Sequence, residues 1–296
     1  MDARAIAVQG TGQAAVYAQF RAAVAQAQLT RWLRELAPPH GEREARVPGP
    51  GGTGEAGGLP RGGTGEQPPV SSGGLGGIAP PEGTLPTLID ISGPGANAAE
   101  FAAESGHSVL RVVSPGTAGL EPPERLRPSE RLRLVEGDPS GLEFLANGCA
   151  DGVLAEDGTL SRNLAAETLV SEISRVLRPG GRVLACVDNL TLGMAALAQQ
   201  SAWPNLVDLP HADVVLVPWP DGTITRCYGA EQLRELFTAG GFDVSWIRPR
   251  TMFAPRTVSY LLARDPRSFQ QLLSAELRSR PDDSVGDQLV ISARKR

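Results

Sequence analysis

Apolar residues near the start of the chain recur at intervals of three and four positions. They are Val16, Phe20, Val24, Leu29, Trp32, Leu33 and Leu36. This spacing places the apolar side chains along one side of a helix, so it predicts one or two amphipathic helices between Thr11 and Leu36. Pro38 and Pro39 end the pattern. We therefore predict an N-terminal helical segment over residues 1–37.

The next segment, residues 38–86, lacks any apolar periodicity. About half of its residues are Gly or Pro, and the sequence GGTGE occurs twice, at Gly51–Glu55 and at Gly62–Glu66. Such a composition buries too little apolar surface to offset the entropy of ordering the chain. We interpret residues 38–86 as a flexible linker.

After Pro86, short apolar runs alternate with helical patterns, which indicates βαβ units and a largely parallel sheet. The predicted strands are Leu88–Ile91, Ser108–Val113, Leu132–Val135, Val153–Ala155, Arg182–Val187, Val244–Ile247 and Leu289–Ser292. The predicted helices are Ala96–Ser105, Leu160–Leu177 and Glu231–Ala239, with further helical pattern in 254–286. The chain is therefore predicted to be an α/β protein built around one sheet.

Charge and composition limit the partners of this fold. The formal net charge is −5, and the basic residues are scattered arginines with a single lysine, Lys295, so we expect no nucleic-acid partner. No apolar run reaches the roughly 20 residues of a membrane span, and residues 1–12 do not resemble a signal peptide. We expect a cytoplasmic protein without a membrane partner. The three cysteines lack the spacing of a metal site, so no metal is predicted.

One glycine-rich turn carries the chemistry. The run Leu88–Gly95 reads as an apolar strand that ends in Asp90 and is followed by Gly93 and Gly95 and by small residues that begin a helix. Glycines let the backbone approach a ligand, and the helix that follows offers unpaired N–H groups. A polar or anionic ligand is predicted at this turn. The spacing of Gly93, Gly95 and Ala98 also fits a dinucleotide-binding turn.

The order of further motifs resembles that of class I S-adenosylmethionine-dependent methyltransferases, of the type 11 kind. Leu88–Gly95 resembles the first motif of the family, and Val135–Asp138 resembles the segment whose acidic residue meets the adenine amine. Arg175–Gly181 resembles the corner between a helix and the fifth strand. Gly229–Phe242 is similar to the last helix, and Gln288–Lys295 to the seventh strand, which is antiparallel in this family.

This resemblance implies a Rossmann-like, seven-stranded sheet with an antiparallel last strand, helices on both faces and an N-terminal helical extension, here a candidate lid. The methyltransferase domain would span residues 87–296. A helical insertion at about 254–286 would separate the last two strands and could help form the acceptor site or a homo-oligomer interface.

The implied activity is methyl transfer from S-adenosylmethionine to a small-molecule substrate. The cofactor-binding residues implied by the matching motifs are Asp90, Gly93, Gly95 and Asp138. Glu156 follows the fourth strand at the carboxyl edge, where ligands of open α/β sheets bind, and is added to this group. A solvated acidic turn is the alternative interpretation of Glu156.

The sequence departs from the family at the end of the second strand. There the family usually has a carboxylate that accepts both ribose hydroxyls, whereas the nearest polar residue here is Ser114, which we predict to be the cofactor-binding residue near the ribose. A hydroxyl is a weaker acceptor, so about 1–3 kcal/mol of cofactor affinity would be missing. The change equally disfavours a nicotinamide dinucleotide. It leaves open a catalytically inactive protein of the same fold that acts as a binding or scaffold partner.

His211 is the candidate catalytic base. It lies between the fifth strand and the last helix, in a segment that often lines the acceptor pocket in the resembled family. Methyl transfer needs a base only for poorly ionised acceptors. An exposed loop histidine is the alternative interpretation.

Overall fold

The computed structural model describes residues 3–36, 87–115, 129–208, 215–219, 221–280 and 285–296 of the 296-residue chain. Within these ranges, side chains are described for all residues except 3–13, 205, 207 and 208. The predicted linker, residues 38–86, lies outside the described residues.

Seven of the strands form one mixed sheet. In chain order the strands are β1 (Thr87–Asp90), β2 (Ser108–Val113), β3 (Leu132–Glu136), β4 (Ala150–Ala155), β5 (Leu177–Asp188), β6 (Val215–Pro218), β7 (Ile224–Cys227), β8 (Phe242–Arg250) and β9 (Gln288–Lys295). The large sheet has the order β3-β2-β1-β4-β5-β9-β8, and β6 and β7 form a separate antiparallel pair. Neighbours from β3 to β5 are parallel, whereas β9 is antiparallel to both β5 and β8.

Helices cover both faces of this sheet. They are α1 (Ala3–Leu36), α2 (Ala98–Glu104), α3 (Thr159–Arg162), α4 (Ala166–Val176), α5 (Leu190–Gln199), α6 (Trp203–Asp208), α7 (Ala230–Ala239), α8 (Pro255–Arg264) and α9 (Phe269–Leu277). The predicted fold class is confirmed: a Rossmann-like α/β sheet of seven strands with an antiparallel last strand and an N-terminal helix. None of the described helices is both long and apolar enough to cross a lipid bilayer.

The core lies on both faces because alternate residues of each inner strand point to opposite sides. In β4, Val153 packs toward α4 and α7, whereas Leu154 packs toward α1 and α2. Ile89 and Leu88 of β1 divide in the same way. Inner strands buried on both sides appear in the sequence as continuous apolar runs, which is why they could be predicted.

The N-terminal pattern forms one continuous helix, α1. At its C-terminal end, Trp32 is fully buried against the sheet, with Leu29 and Leu33 close by. Farther toward the N-terminus, Phe20 and Val24 pack against α8 and α9. The helix therefore belongs to the layer that covers the sheet and also contacts the insertion between β8 and β9.

The structure differs from the predicted elements in several places, and among the helices α5 and α6 were not predicted. The long helix predicted over Leu160–Leu177 is divided into α3 and α4, because Asn163 adopts an extended conformation and its Oδ1 accepts a hydrogen bond from the N–H of Ala165 at 2.9 Å. Strand β5 begins at Leu177 rather than at Arg182. The β6–β7 pair was not predicted, since its strands have only four residues each.

Candidate functional site

A cavity of about 530 Å³ lies between α1 and the carboxyl edge of the large sheet. On the sheet side its lining includes Gly95, Glu156, Asp157, Arg250 and Gln288, and on the helix side Arg21, Ala22 and Ala25. The volume falls within the range of small-molecule sites, roughly 300–1,000 Å³. The cavity adjoins β1 and β4, at the point where the strand order reverses and where open α/β sheets bind ligands.

The glycine turn between β1 and α2 is fixed to the end of β4. The N–H of Gly93 donates to the carbonyl oxygen of Glu156 at 3.0 Å. The N–H of Glu156 in turn donates to Oγ of Ser92 at 2.9 Å. These two hydrogen bonds connect the residues that follow β1 with the residue that follows β4. Gly95, two residues after Gly93, forms part of the cavity wall.

The Asp90 carboxylate lies fully buried beneath this turn. Its Oδ1 accepts from the N–H of Ser92 at 3.2 Å and from Oγ of Ser92 at 2.5 Å, and its Oδ2 lies 3.8 Å from Nε of the buried Arg111. Burial raises the pKa of Asp90 to about 6, although Arg111 and the bonds from Ser92 lower it. Asp90 therefore supports the turn from below and does not line the cavity that the described residues form.

The two glycines of the turn are covered unequally. Gly93 is buried, and a Cβ at this position would overlap the guanidinium of Arg162 and stand 2.7 Å from Oδ2 of Asp157. Gly95 is exposed, and its N–H donates to the same Oδ2 at 2.9 Å. The space left by the missing Cβ atoms is thus occupied by side chains that follow β4.

Glu156 reaches the cavity, but its carboxylate is already paired. Arg250 donates from Nη1 to Oε2 at 2.5 Å and from Nη2 to Oε1 at 3.1 Å, while its Nε donates to Oε1 of Gln28 at 2.7 Å. All three side chains belong to residues that are at most 5% exposed. Burial lowers the pKa of Arg250, but Glu156 and the other acidic groups nearby together raise it by more, so the guanidinium stays charged. This network joins α1, β4 and β8 beneath the cavity.

Asp188, the last residue of β5, stands beside the cavity residue Gln288. Burial raises the pKa of Asp188, while the Arg162 guanidinium and a hydrogen bond from Gln288 lower it and the Asp157 carboxylate raises it further. A half-buried carboxylate of this kind can accept a proton near neutral pH more readily than an exposed one.

The sequence prediction did not include Arg162, Asp188, Arg250 or Gln28. The sequence indicates two of them only by their position: Asp188 and Arg250 are the last residues of strands that end at the carboxyl edge. The sequence predicted Arg162 to lie inside a long helix. In the structure it is the last residue of the short helix α3, and its guanidinium lies over Gly93 of the glycine turn.

The remaining predicted residues lie at neighbouring strand ends or outside the described part. Ser114 follows β2 and Asp138 follows β3, and these strand ends adjoin because the N–H of Gly137 donates to the carbonyl oxygen of Val113 at 3.0 Å. Asp138 is exposed, and its Oδ1 accepts from the N–H of Ser140 at 2.8 Å. Neither Ser114 nor Asp138 lines the cavity formed by the described residues. His211 lies outside the described residues.

Solved structures of similar fold include methyltransferases. An S-adenosylmethionine-dependent methyltransferase from Mesorhizobium loti is 17% identical, with 73% of this chain and 93% of that chain covered and a TM-score of 0.46. The 1,6-didemethyltoxoflavin-N1-methyltransferase of Burkholderia thailandensis is 21% identical over 72% of each chain, with a TM-score of 0.44. Geranyl diphosphate C-methyltransferase from Streptomyces coelicolor A3(2) is 17% identical, with 75% of this chain and 74% of that chain covered and a TM-score of 0.44.

No known family model matches the chain, and no curated protein matches it. All three structural identities lie below 25%. The fold assignment therefore rests on the strand order and strand directions of this chain, and membership of a family stays a prediction.

Proposed function

We propose that this chain is a class I, type 11-like methyltransferase that binds S-adenosylmethionine and methylates a small molecule. One observation carries the proposal: a glycine turn and a cavity of about 530 Å³ meet at the carboxyl ends of β1 and β4, in a sheet whose last strand is reversed. The resemblance of the sequence motifs implies the same combination. A dinucleotide-dependent reductase would not be expected to combine a corner like Arg175–Gly181, which ends in Pro179-Gly180-Gly181, with a reversed last strand.

The residues around the cavity fit an adenosyl amino acid. Its amino-acid part carries both signs of charge, and the lining of the cavity includes groups of both signs, among them Arg21 on α1 and Glu156 and Arg250 at the sheet. Gly95 is open to the cavity. Gly93 is covered by two half-exposed side chains, those of Asp157 and Arg162, which can rotate away, and by the backbone carbonyl of Asp157, which stays in place.

Each predicted residue then receives a proposed role. Gly93 and Gly95 allow close approach of the amino-acid part, and Asp90 holds their turn in place. Glu156, paired with Arg250, forms the polar floor.

The adenosine part of the ligand is assigned to the next strand ends. Ser114 would stand near the ribose and Asp138 near the adenine. Their position at the ends of β2 and β3 supports this assignment.

When bound, S-adenosylmethionine would supply an electrophilic methyl group that is transferred in line to a nucleophile, with S-adenosylhomocysteine as the leaving group. The chain's own contribution is to orient the two reactants and to exclude water beneath α1. Asp188 is a described candidate for accepting a proton from the nucleophile, and His211 stays a prediction. A cytoplasmic location, self-association and opening of the N-terminal helix as a lid also stay predictions.

Calorimetric titration tests the proposal. We expect saturable binding of S-adenosylmethionine and S-adenosylhomocysteine and no heat with NADH. If neither adenosyl ligand gives heat or a thermal shift at millimolar concentration, the methyltransferase proposal is wrong, and the inactive, partner-binding interpretation of the fold takes its place.

A matched pair of variants links that binding to the cavity. Ala22 and Ala198 are both exposed helical alanines, but Ala22 of α1 lines the cavity and Ala198 of α5 does not. Ala22→Trp should fill the cavity and weaken S-adenosylhomocysteine binding at least about tenfold, a loss of about 1.4 kcal/mol. Ala198→Trp should leave binding unchanged. Equal affinities in the two variants would place the ligand elsewhere.

A further inference from the structure

We infer that Asp157 and Arg162 form a latch on the glycine turn, and that an incoming ligand opens it by supplying a carboxylate of its own. This inference rests on the proposed function and deepens it. It names a device that regulates entry to the same site and the chemical group of the ligand that operates it.

The Asp157 carboxylate already occupies the position that an anionic ligand group would take. Its Oδ2 accepts from the N–H of Gly95 at 2.9 Å and lies 3.6 Å from the guanidinium of Arg162. Arg162 also donates to the backbone carbonyl of Asp157. The chain thus satisfies an exposed N–H of the turn with a carboxylate and neutralises that carboxylate with its own guanidinium.

The backbone holds Asp157 in this position. Asp157 has a φ of +57°, a left-handed conformation that few residues other than glycine adopt, and Gly158 follows with a φ of +68°. This pair of left-handed residues turns the chain sharply after β4 and directs the Asp157 side chain toward Gly95. Arg162, one turn later on α3, lies over Gly93.

The latch differs from the neighbouring ion pair in how easily it can open. The side chains of Asp157 and Arg162 are 32% and 44% exposed, so water replaces most of what they lose on separation. The side chains of Glu156 and Arg250 are only 7% and 5% exposed, so the two groups cannot separate without leaving a buried charge. Opening therefore requires rotation of two surface side chains above a floor that stays in place.

The groups that Asp157 releases when the latch opens indicate which chemical group the ligand must carry. When Asp157 leaves, the N–H of Gly95 and the part of the Arg162 guanidinium that faced Asp157 are left to water, and a ligand carboxylate takes the place of that water. A ligand with an α-carboxylate meets this need, whereas an adenosyl ligand without one binds with the latch still closed.

The test compares S-adenosylhomocysteine with 5′-methylthioadenosine, which has the same adenosyl group but no amino acid. Asp157→Ala removes the competing carboxylate, and Asp157→Gly does so while accepting the left-handed backbone. The control is Asp151→Ala at the other end of β4. Asp151 also accepts a backbone N–H, that of Thr87, and pairs with an arginine, and its side chain is 31% exposed.

Calorimetry and thermal unfolding are measured for each variant. We expect both Asp157 variants to bind S-adenosylhomocysteine about fivefold more tightly than the unmodified chain, which corresponds to one hydrogen bond to a half-exposed charge. Binding of 5′-methylthioadenosine should not change, and Asp151→Ala should bind both ligands as the unmodified chain does.

The other possible outcomes distinguish a failure of the latch from a failure of the proposed function. Equal or weaker binding of S-adenosylhomocysteine by both folded Asp157 variants overturns the latch and leaves the methyltransferase proposal intact. If no adenosyl ligand binds any form, the proposed function fails, and hydrogen exchange of the Gly95 amide decides on the latch. Exchange that is slow in the unmodified chain and fast in Asp157→Gly supports the contact, and exchange that is equal in both overturns it.

Discussion

The two ends of β4 carry similar charged residues in different surroundings. At the amino end, Asp151 pairs with Arg178 at 2.8 Å, and both side chains are about one-third to one-half exposed. At the carboxyl end, the latch pair, Asp157 and Arg162, is just as exposed but lies directly above the buried pair of Glu156 and Arg250. The cavity of about 530 Å³ adjoins the second of these ends, whereas a more open cavity of about 750 Å³, lined in part by Ser174, Arg175 and Lys295, lies at the first.

The neighbours of each end explain the difference. At the amino end, long basic side chains donate to backbone carbonyls: Arg175 to those of Leu142 and Leu145, and Lys295 to those of Ser174 and Leu177. These bonds satisfy carbonyl groups at loop and helix ends. At the carboxyl end, carboxylates and guanidinium groups pair mainly with each other, and the N–H of Gly95 is covered by the half-exposed side chain of Asp157. The charged groups of the amino end are therefore tied to backbone, whereas the proposed site at the carboxyl end can exchange a side chain for a ligand.

Arg250→Leu should give the largest loss of stability. It leaves Glu156 as an unpaired buried carboxylate, which costs about 3–5 kcal/mol. Arg178→Leu at the amino end should cost less than about 1 kcal/mol, because the Asp151 that it leaves behind is solvated. Urea unfolding measures both values, and equal losses would contradict the contrast between the two ends. Adding Glu156→Leu to Arg250→Leu should restore most of the loss, since apolar groups then replace both charges.

Trp32→Ala should have an effect of similar size on the same assay. Trp32 is fully buried, and a Cβ on Gly152 would stand 2.8 Å from its ring, so truncation leaves a cavity between α1 and β4. Such a truncation costs about 3–5 kcal/mol. A loss below about 1 kcal/mol would mean that the C-terminal end of α1 separates readily from the sheet, as a lid along its whole length would require.

Asp90→Asn should change the pH dependence of stability. Because the folded-state pKa of about 6 exceeds the ordinary 3.8, the folded protein binds a proton that the unfolded chain releases. The stability from protonated Asp90 is therefore present below about pH 4 and lost as the pH rises through 6, with an amplitude of about 3 kcal/mol. Urea midpoints between these pH values should fall in the unmodified chain and fall less in Asp90→Asn. Parallel curves would show that Asp90 does not titrate in this window, and Asp151→Asn is the control.

The sheet could be predicted from the sequence because each inner strand is a short apolar run of neighbouring residues. Leu88, Ile89, Val153 and Leu154 lie in short apolar runs, and each run ends in a polar residue at the carboxyl edge. The β6–β7 pair was missed because four-residue strands carry little alternation. The division between α3 and α4 was missed because it depends on one hydrogen bond from an asparagine side chain.

The site was only partly predictable, because its pairs join distant positions. Glu156 and Arg250 are 94 positions apart, and Gln28 and Arg250 are 222 apart, so no spacing in the sequence connects them. The glycine turn could be predicted from its residue types. The Asp157 and Arg162 side chains cover the turn because Asp157 and Gly158 both adopt a left-handed backbone conformation. A sequence indicates that conformation for a glycine but not for an aspartate.

Lys295→Met should give the smallest effect and tests the amino end alone. The Nζ of Lys295 donates to the carbonyl oxygens of Ser174 and Leu177 at 2.5 and 2.7 Å, where α4 ends and its last carbonyls lack partners within the helix. A positive charge at a helix C-terminus and its hydrogen bonds are worth about 1 kcal/mol, so methionine should lower the free energy of unfolding by about that amount. Lys295→Arg should recover part of the lost stability.

Binding of adenosyl ligands should be unchanged in Lys295→Met, because the lysine lies at the end of the sheet away from the cavity beneath α1. A variant that lost both stability and binding would show that the two ends of the sheet are coupled through β5, which pairs with both β4 and β9.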